Sequence, residues 1–251
     1  MYSTEALEQA CADAWQPVIE DKIGDWRLRA ATDPAPEEPG RRVRFTGRAN
    51  SVLAVGDPGM PVERALPLVC DFAHNQGLPP LAQAVVGSQI ETELADNGWN
   101  LNNGQAPGGA VSVQTCPFDR TQPTNAAIRA VPTPGWWELA VGSTEPTPAQ
   151  HHVITSGDVG YGEVAVDGVT AGTLRAALVG DLVFVGTLAV RDSYRRMGMA
   201  SDLMAAAGAW GRARGATNCV LQVAVGNTGA LALYARLGFT EQHRYRYWRA
   251  P

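Results

Sequence analysis

The sequence predicts an α/β (α+β) fold in two tandem units, each a mixed, mostly antiparallel sheet flanked by helices. Three observations predict it. Leu182 to Val190 is an apolar, β-branched run of strand length, followed by a short basic loop and, from Met199, a helical pattern. Before it, Tyr161 to Val166 and Thr170 to Val179 alternate as strands. The Asp167-Gly168 turn signal separates that pair, and Gly180-Asp181 separates the second strand from the run at Leu182. The same layout then occurs twice. Leu53-Ala54-Val55 corresponds to Leu188-Ala189-Val190, and each is followed by a loop, a helix ending at Gly77 or Gly215, and a strand ending at Gly87 or Gly226. Both copies continue through a short helix into Asn97-Gly98-Trp99 or Leu237-Gly238-Phe239.

A chain of 251 residues suits two modest units, and 45% apolar with 18% charged residues is ordinary for a chain that buries sizeable cores. The net charge of −5 gives no field that would draw the protein onto nucleic acid or an anionic membrane. Lys22 is the only lysine among the basic residues, and this arginine bias with abundant Ala and Gly fits a GC-rich bacterial genome. Cys11, Cys70, Cys116 and Cys219 show no metal-ligand spacing and read as reduced, mostly buried thiols, so no metal is expected. The opening stretch is acidic and amphipathic, unlike a signal peptide, and no run approaches the ~20 apolar residues of a membrane span. The expected compartment is the cytoplasm.

Taken in order, residues 4 to 22 read as a helix capped by Ser3 or Thr4 and broken or kinked by Pro17, with Asp25 to Ala31 a strand. Thr32 to Gly40 is a Pro-rich acidic loop, and Arg41 to Val55 alternates like a hairpin or a bent strand. Val62 to Asn75 reads as a helix, then a strand closes at Gly87, and Ala110 to Thr115 is a further strand. The unit boundary falls within Cys116 to Pro134, dividing the chain into 1–125 and 126–251. Trp136-Trp137 opens the second unit as an exposed-looking pair, open either to a binding groove or to packing against the first unit. Met199 to Arg214 is a helix, Asn218 to Val225 a buried strand, Asn227 to Leu237 a helix, and Phe239 to Trp248 a closing strand.

Chemistry concentrates in Arg195-Arg196-Met197-Gly198-Met199-Ala200. Gly198 and Ala200 lack bulk, so backbone N–H groups of a helix start can approach a ligand, where the macrodipole favours an anion. Arg195 and Arg196 add forked positive charge suited to phosphate oxygens. The repeat lacks this device. Its loop, Gly56 to Pro61, carries no arginine, and two prolines there remove N–H donors.

Val190 to Ala200 resembles the acyl-CoA loop of the GNAT superfamily of N-acyltransferases. Downstream, Asn227, Ala230, Tyr234 and Gly238-Phe239 are similar to its second signature, N-x-x-A-x-x-x-Y-x-x-x-G-F. One departure is Asp192, where many members carry proline. The resemblance implies acetyl transfer from acetyl-CoA to the primary amine of a small molecule, by direct transfer in a ternary complex. It also implies that two strands splay to take the pantetheine arm. Leu188, Ala189 and Val190 would then pair with that arm, and Arg195, Arg196, Gly198, Met199, Ala200 and Ser201 would hold the pyrophosphate. Asn227 would contact the donor, and Tyr234 would protonate the leaving thiolate. For the general base, Glu163 is the best-placed carboxylate, with Glu138, Asp158, His151 and His152 as rivals and ordered water as an alternative. Other open readings are a longer acyl-CoA or aminoacyl-tRNA donor, and a non-catalytic CoA-binding sensor. The expected oligomeric state is monomer or homodimer. The segments expected to set the acceptor, chiefly Gly135 to Val159 and the first unit, show no signature, and the first unit reads as structural or as one wall of the acceptor site.

Overall fold

The computed structural model describes residues 2–33, 46–104, 109–117 and 124–251. The acidic loop from Pro34 and the first part of the 41–55 hairpin lie outside the described residues, as does the middle of the boundary stretch. The first half contributes α1 (Thr4–Asp13), β1 (Ile19–Ile23), β2 (Trp26–Ala30), β3 (Val52–Leu53), α2 (Val62–Asn75), β4 (Leu81–Val85), α3 (Gln89–Asp96), β5 (Asn100–Leu101) and β6 (Val111–Pro117). The second contributes β7 (Ala127–Arg129), α4 (Pro134–Val141), α5 (Pro148–Thr155), β8 (Asp158–Val166), β9 (Val169–Val179) and β10 (Leu182–Val190). It continues with α6 (Met199–Arg212), β11 (Asn218–Ala224), α7 (Thr228–Arg236) and β12 (Thr240–Arg249).

All these strands join one sheet in the order β1-β2-β3-β4-β12-β6-β11-β10-β9-β8-β7, with β5 on β12. Among the described strands, only β3–β4 and β10–β11 pair in parallel, each joined by one crossover helix, α2 or α6. These equivalent parallel pairs are the repeat read from the sequence. The closing strands change places: β12 lies between β4 and β6, and β6 lies between β12 and β11. Each half therefore finishes the sheet of the other.

Local sequence explains most boundaries. The Ser3 hydroxyl accepts the Ala6 N–H at 3.1 Å and starts α1. That helix ends at Asp13 rather than near residue 22, because Pro17 and its predecessor cannot continue it. The chain reverses and 19–23 becomes β1, paired with β2 across a two-residue turn in which Gly24 takes φ 56°. The 62–75 helix lies where its pattern puts it and is followed by Gly77 at φ 65°. The Asp167-Gly168 hairpin has both central residues at positive φ, 50° and 80°.

Of the two readings of the Trp pair, packing against the first half is the one found: Trp136 and Trp137 keep 1% and 6% of their surface, in one core with Leu7, Cys11 and Trp15 of the first half. Trp136 meets Trp137 and Tyr161 edge-on, with centroids at 5.4 and 5.2 Å. The span 135–159 is not featureless loop. It holds two helices started by Thr-Pro: Thr133 accepts the Trp136 N–H, and Thr147 and Gln150 form a reciprocal capping box.

One buried cation ties these layers together. Arg175 on β9 is fully buried and donates to the Ile154, Ala14 and Ser156 carbonyls at 2.7, 2.8 and 3.1 Å. Those oxygens belong to the C-terminal ends of α5 and α1, where the partial charge is negative. Burial lowers the Arg175 pKa to about 10.

Candidate active site

The site begins where β10 and β11 part. They pair from Leu182–Asn218 to Val185–Leu221 and no further. At Gly186 the register of β10 against β9 shifts and Thr187 takes φ 49°, a left-handed conformation that a β-branched residue adopts at a cost of about 1–3 kcal/mol. β10 then rejoins β9 through Ala189 and Val190, while β11 stays on β6 as far as Ala224. Among the described residues, no strand lies across the edge of Leu188–Val190 that would face β11. A cavity of about 650 Å³ fills the wedge.

Its mouth is the basic loop. A 3-10 turn, Asp192–Tyr194, leads into Arg196 at φ 62° and Gly198 at φ 85°, which is the N-cap of α6. A Cβ on Gly198 would meet nothing within 4 Å, so the space over this helix start is open. Among the described residues, no main-chain carbonyl accepts the N–H groups of Arg196 to Ala200, whereas Ser201 and Asp202 turn back onto the Gly198 carbonyl. Arg195 pairs with Asp192 at 2.8 Å, but both side chains are exposed and such a pair contributes at most about 1 kcal/mol. Arg195, Arg196 and Ala200 line the cavity, as does Asn227, whose side chain caps α7 by accepting the Ala230 N–H at 3.1 Å. Met199 is buried beneath the loop and Ser201 lies in the first turn of α6.

Tyr234 reaches the wedge from α7. It is 7% exposed, lines the cavity, and packs on Phe239 with centroids 5.6 Å apart. Burial, reinforced by the nearby Cys219 thiol, raises its pKa to about 12, so the phenol keeps its proton across the physiological range.

Glu163 lies apart from this group. It is buried on β8, in register with Thr173 of β9, which is in turn in register with Ala189 of β10. Two strand spacings, roughly 10 Å, separate it from the cavity edge. Its carboxylate accepts from Arg129 Nε at 2.8 Å, Thr133 Oγ1 at 2.9 Å and Thr170 Oγ1 at 2.6 Å. The rivals are also engaged elsewhere: Glu138 with Arg191, His152 with the Pro17 carbonyl, and His151 stacked on Trp137. Asp158 lies 3.9 Å from Arg214. Among the described residues the cavity lining contains three arginines and no carboxylate or imidazole.

The first half supplies residues that local sequence patterns did not mark. Arg48 lines the cavity, donating from Nε to Gln222 Oε1 at 2.6 Å and from Nη2 to the Gln222 carbonyl at 3.3 Å. Trp15 packs beside Arg48 and against Phe184, and its ring fills the place where a Cβ on Gly186 would stand, 2.8 Å away.

The equivalent wedge in the first half is closed. Beyond Leu53–Gln83 the Ala54 N–H still donates to the Gln83 carbonyl, and Ala12 of α1 packs on Leu53 and Val55. In the loop at 56–61, Asp25 and Asp57 carboxylates accept the Asp57 and Gly59 N–H groups at 2.9 and 2.7 Å. Acidic side chains hold the donors that the second half leaves open.

Among the described residues no helix is long and apolar enough to cross a membrane. No curated protein matches the chain. Among solved structures, a GCN5-related N-acetyltransferase from Kribbella flavida is similar over 99% of this chain and 97% of its own, at 17% identity and TM-score 0.68. A tandem GNAT protein from the clavulanic acid biosynthesis pathway is similar over 75% of this chain and 68% of its own, at 16% identity and TM-score 0.54. A GCN5-related N-acetyltransferase from Sphaerobacter thermophilus is similar at 20% identity and TM-score 0.53 over 69% of this chain, which spans only 59% of that protein. At these identities the likeness is one of fold, the tandem GNAT arrangement. Residues 3–248 match the family described as "Probable histone acetyltransferase Rv0428c C-terminal", nearly the whole chain, and the chain belongs to that family of acyltransferases.

Proposed function

We propose that the chain moves an acetyl group from acetyl-CoA to the primary amine of a small molecule, by direct transfer in a ternary complex. On this reading residues 126–251 carry the donor site and residues 1–125 form a unit without one. The observation that carries it is the wedge between β10 and β11, which joins an open, basic helix start to a buried, protonated phenol. The residues present fit such a donor. The N–H groups at 196–200, which have no main-chain acceptor among the described residues, and the two loop arginines suit a pyrophosphate. The unpaired edge of Leu188–Val190 suits the amide groups of a pantetheine arm, because an exposed strand edge offers main-chain donors and acceptors to an extended partner.

In this scheme Tyr234 is the general acid. The departing thiolate needs a proton, and a phenol held near pKa 12 carries one at any working pH. The three hydrogen bonds on Glu163 favour a different role for it: holding β7, the start of α4 and β9 in place. With no carboxylate or imidazole in the described lining, ordered water takes the amine proton. The family description carries the word histone, and a lysine side chain is also a primary amine, so a lysine peptide belongs in the acceptor panel.

The test is thiol release across that panel for wild type and Tyr234→Phe. The expected result is a kcat lower by about 100-fold or more with the dissociation constant for acetyl-CoA nearly unchanged. Weakened acetyl-CoA binding with kcat retained would make Tyr234 a packing residue instead.

A further inference from the structure

We infer that Arg48 forms a carboxylate-binding subsite at the vertex of the wedge, and that the protein's substrate brings the carboxylate that fills it. Gln222, which holds Arg48, lies one residue beyond Leu221, the last point at which β10 and β11 pair. Arg48 therefore stands at the closed end of the cavity, among Phe184, Val185, Gly186 and Thr187, opposite the mouth lined by Arg195 and Arg196. A donor entering by its phosphates at the mouth places its reacting end here.

The charge balance points to an anion. Of its five N–H donors, Arg48 uses one on Nε and one on Nη2 toward Gln222 and also has the Tyr245 hydroxyl as a hydrogen-bond partner, which leaves part of the fork without an acceptor among the described residues. No carboxylate among them pairs with it. The other buried arginines differ. Arg175 is saturated by three carbonyls, and Arg29 is held by Ser51 and by Gln83, which in turn donates to the buried Glu8. Among the described arginines, Arg48 combines a half-buried charge, spare donors and a cavity in front of it. A planar carboxylate matches that fork. The guanidinium is also fixed in advance, by Gln222 on β11 and by the Trp15 ring at 5.7 Å, so little order is lost on binding.

This inference rests on the wedge being the donor site. With acetyl-CoA as donor, the carboxylate belongs to the acceptor, an amine of the α-amino-acid class. The other source is a donor whose acyl chain ends in a carboxylate.

Two matched comparisons test it. One sets amino acids against their carboxamides as acceptors with acetyl-CoA; the other sets succinyl-CoA against acetyl-CoA by calorimetry. CoA alone is titrated as the control. The expected result is a preference of about tenfold or more for the carboxylate member of one pair. Arg48→Met is expected to lose that preference and Arg48→Lys to keep part of it, with CoA affinity unchanged in both. The responding pair identifies the source. CoA binding without preference in either pair overturns the subsite, as does a preference that survives Arg48→Met. If Arg48→Met fails to bind CoA, the wild-type preference and Arg48→Lys decide. Absence of CoA binding in wild type overturns the donor site itself, and the subsite with it.

Discussion

At the scale of residues, Arg175 and Glu163 show how buried charge is used here as a fastener. Arg175 donates to three carbonyls at two helix ends, of which the Ile154 oxygen also accepts from the Tyr161 hydroxyl at 3.3 Å. Arg175→Met takes the guanidinium donor from all three and leaves Ile154 only the Tyr161 bond, at a cost of about 3 kcal/mol or more. For a chain of this size a fall in melting temperature of roughly 6–12 °C is expected, and a shift below about 2 °C would contradict the role. Glu163→Gln keeps the shape but sets an amide among three donors that all point at an acceptor. The expected outcome is a stability loss of about 1–3 kcal/mol with the pH dependence of turnover unchanged. Disappearance of an acidic limb from that profile would instead make Glu163 the base. Its chemistry and strand position were legible in the sequence. Its three partners were not, because they come from β7, the cap of α4 and β9.

At the scale of elements, the sequence was most legible where the signal is local. The Asp167-Gly168 turn, the helix start at Gly198 and the Asn227 cap all depend on a few neighbouring residues, and each lies where the pattern puts it. Pro17 reads as a break or a kink, and the break is what is found, although Val18 and Ile19 extend the apolar face and suggest more helix. The turn at Gly24-Asp25 that marks the β1–β2 hairpin was overlooked. Thr147 to Gln150 spells a capping box inside a stretch read as loop. The wedge was reached only by resemblance, because strand separation is set by the shift at Gly186, and Gly186 is small to admit the Trp15 ring from the first half.

At the scale of the whole molecule, the exchange of β6 and β12 decides how the protein folds and what the first half is for. A pairing between residues more than a hundred positions apart has no periodicity to announce it. The same is true of Arg48, which becomes a cavity residue only once the halves are joined. Because each half completes the other's sheet, the chain is expected to unfold in one calorimetric transition, with enthalpy matching the van't Hoff value. Two resolved transitions would mean that the halves are independent.

The claim that organises all of this is that the protein has one acyl-donor site, in the wedge of the second half. Its most direct test is calorimetric titration of acetyl-CoA into wild type and into the Arg195→Ala/Gly198→Asp double variant. The variant removes one loop cation and sets an anion at a helix start where φ is 85°. The account predicts binding at one site per chain that the variant loses while its melting transition survives. Two sites in wild type, no binding at all, or binding that the variant retains would contradict it.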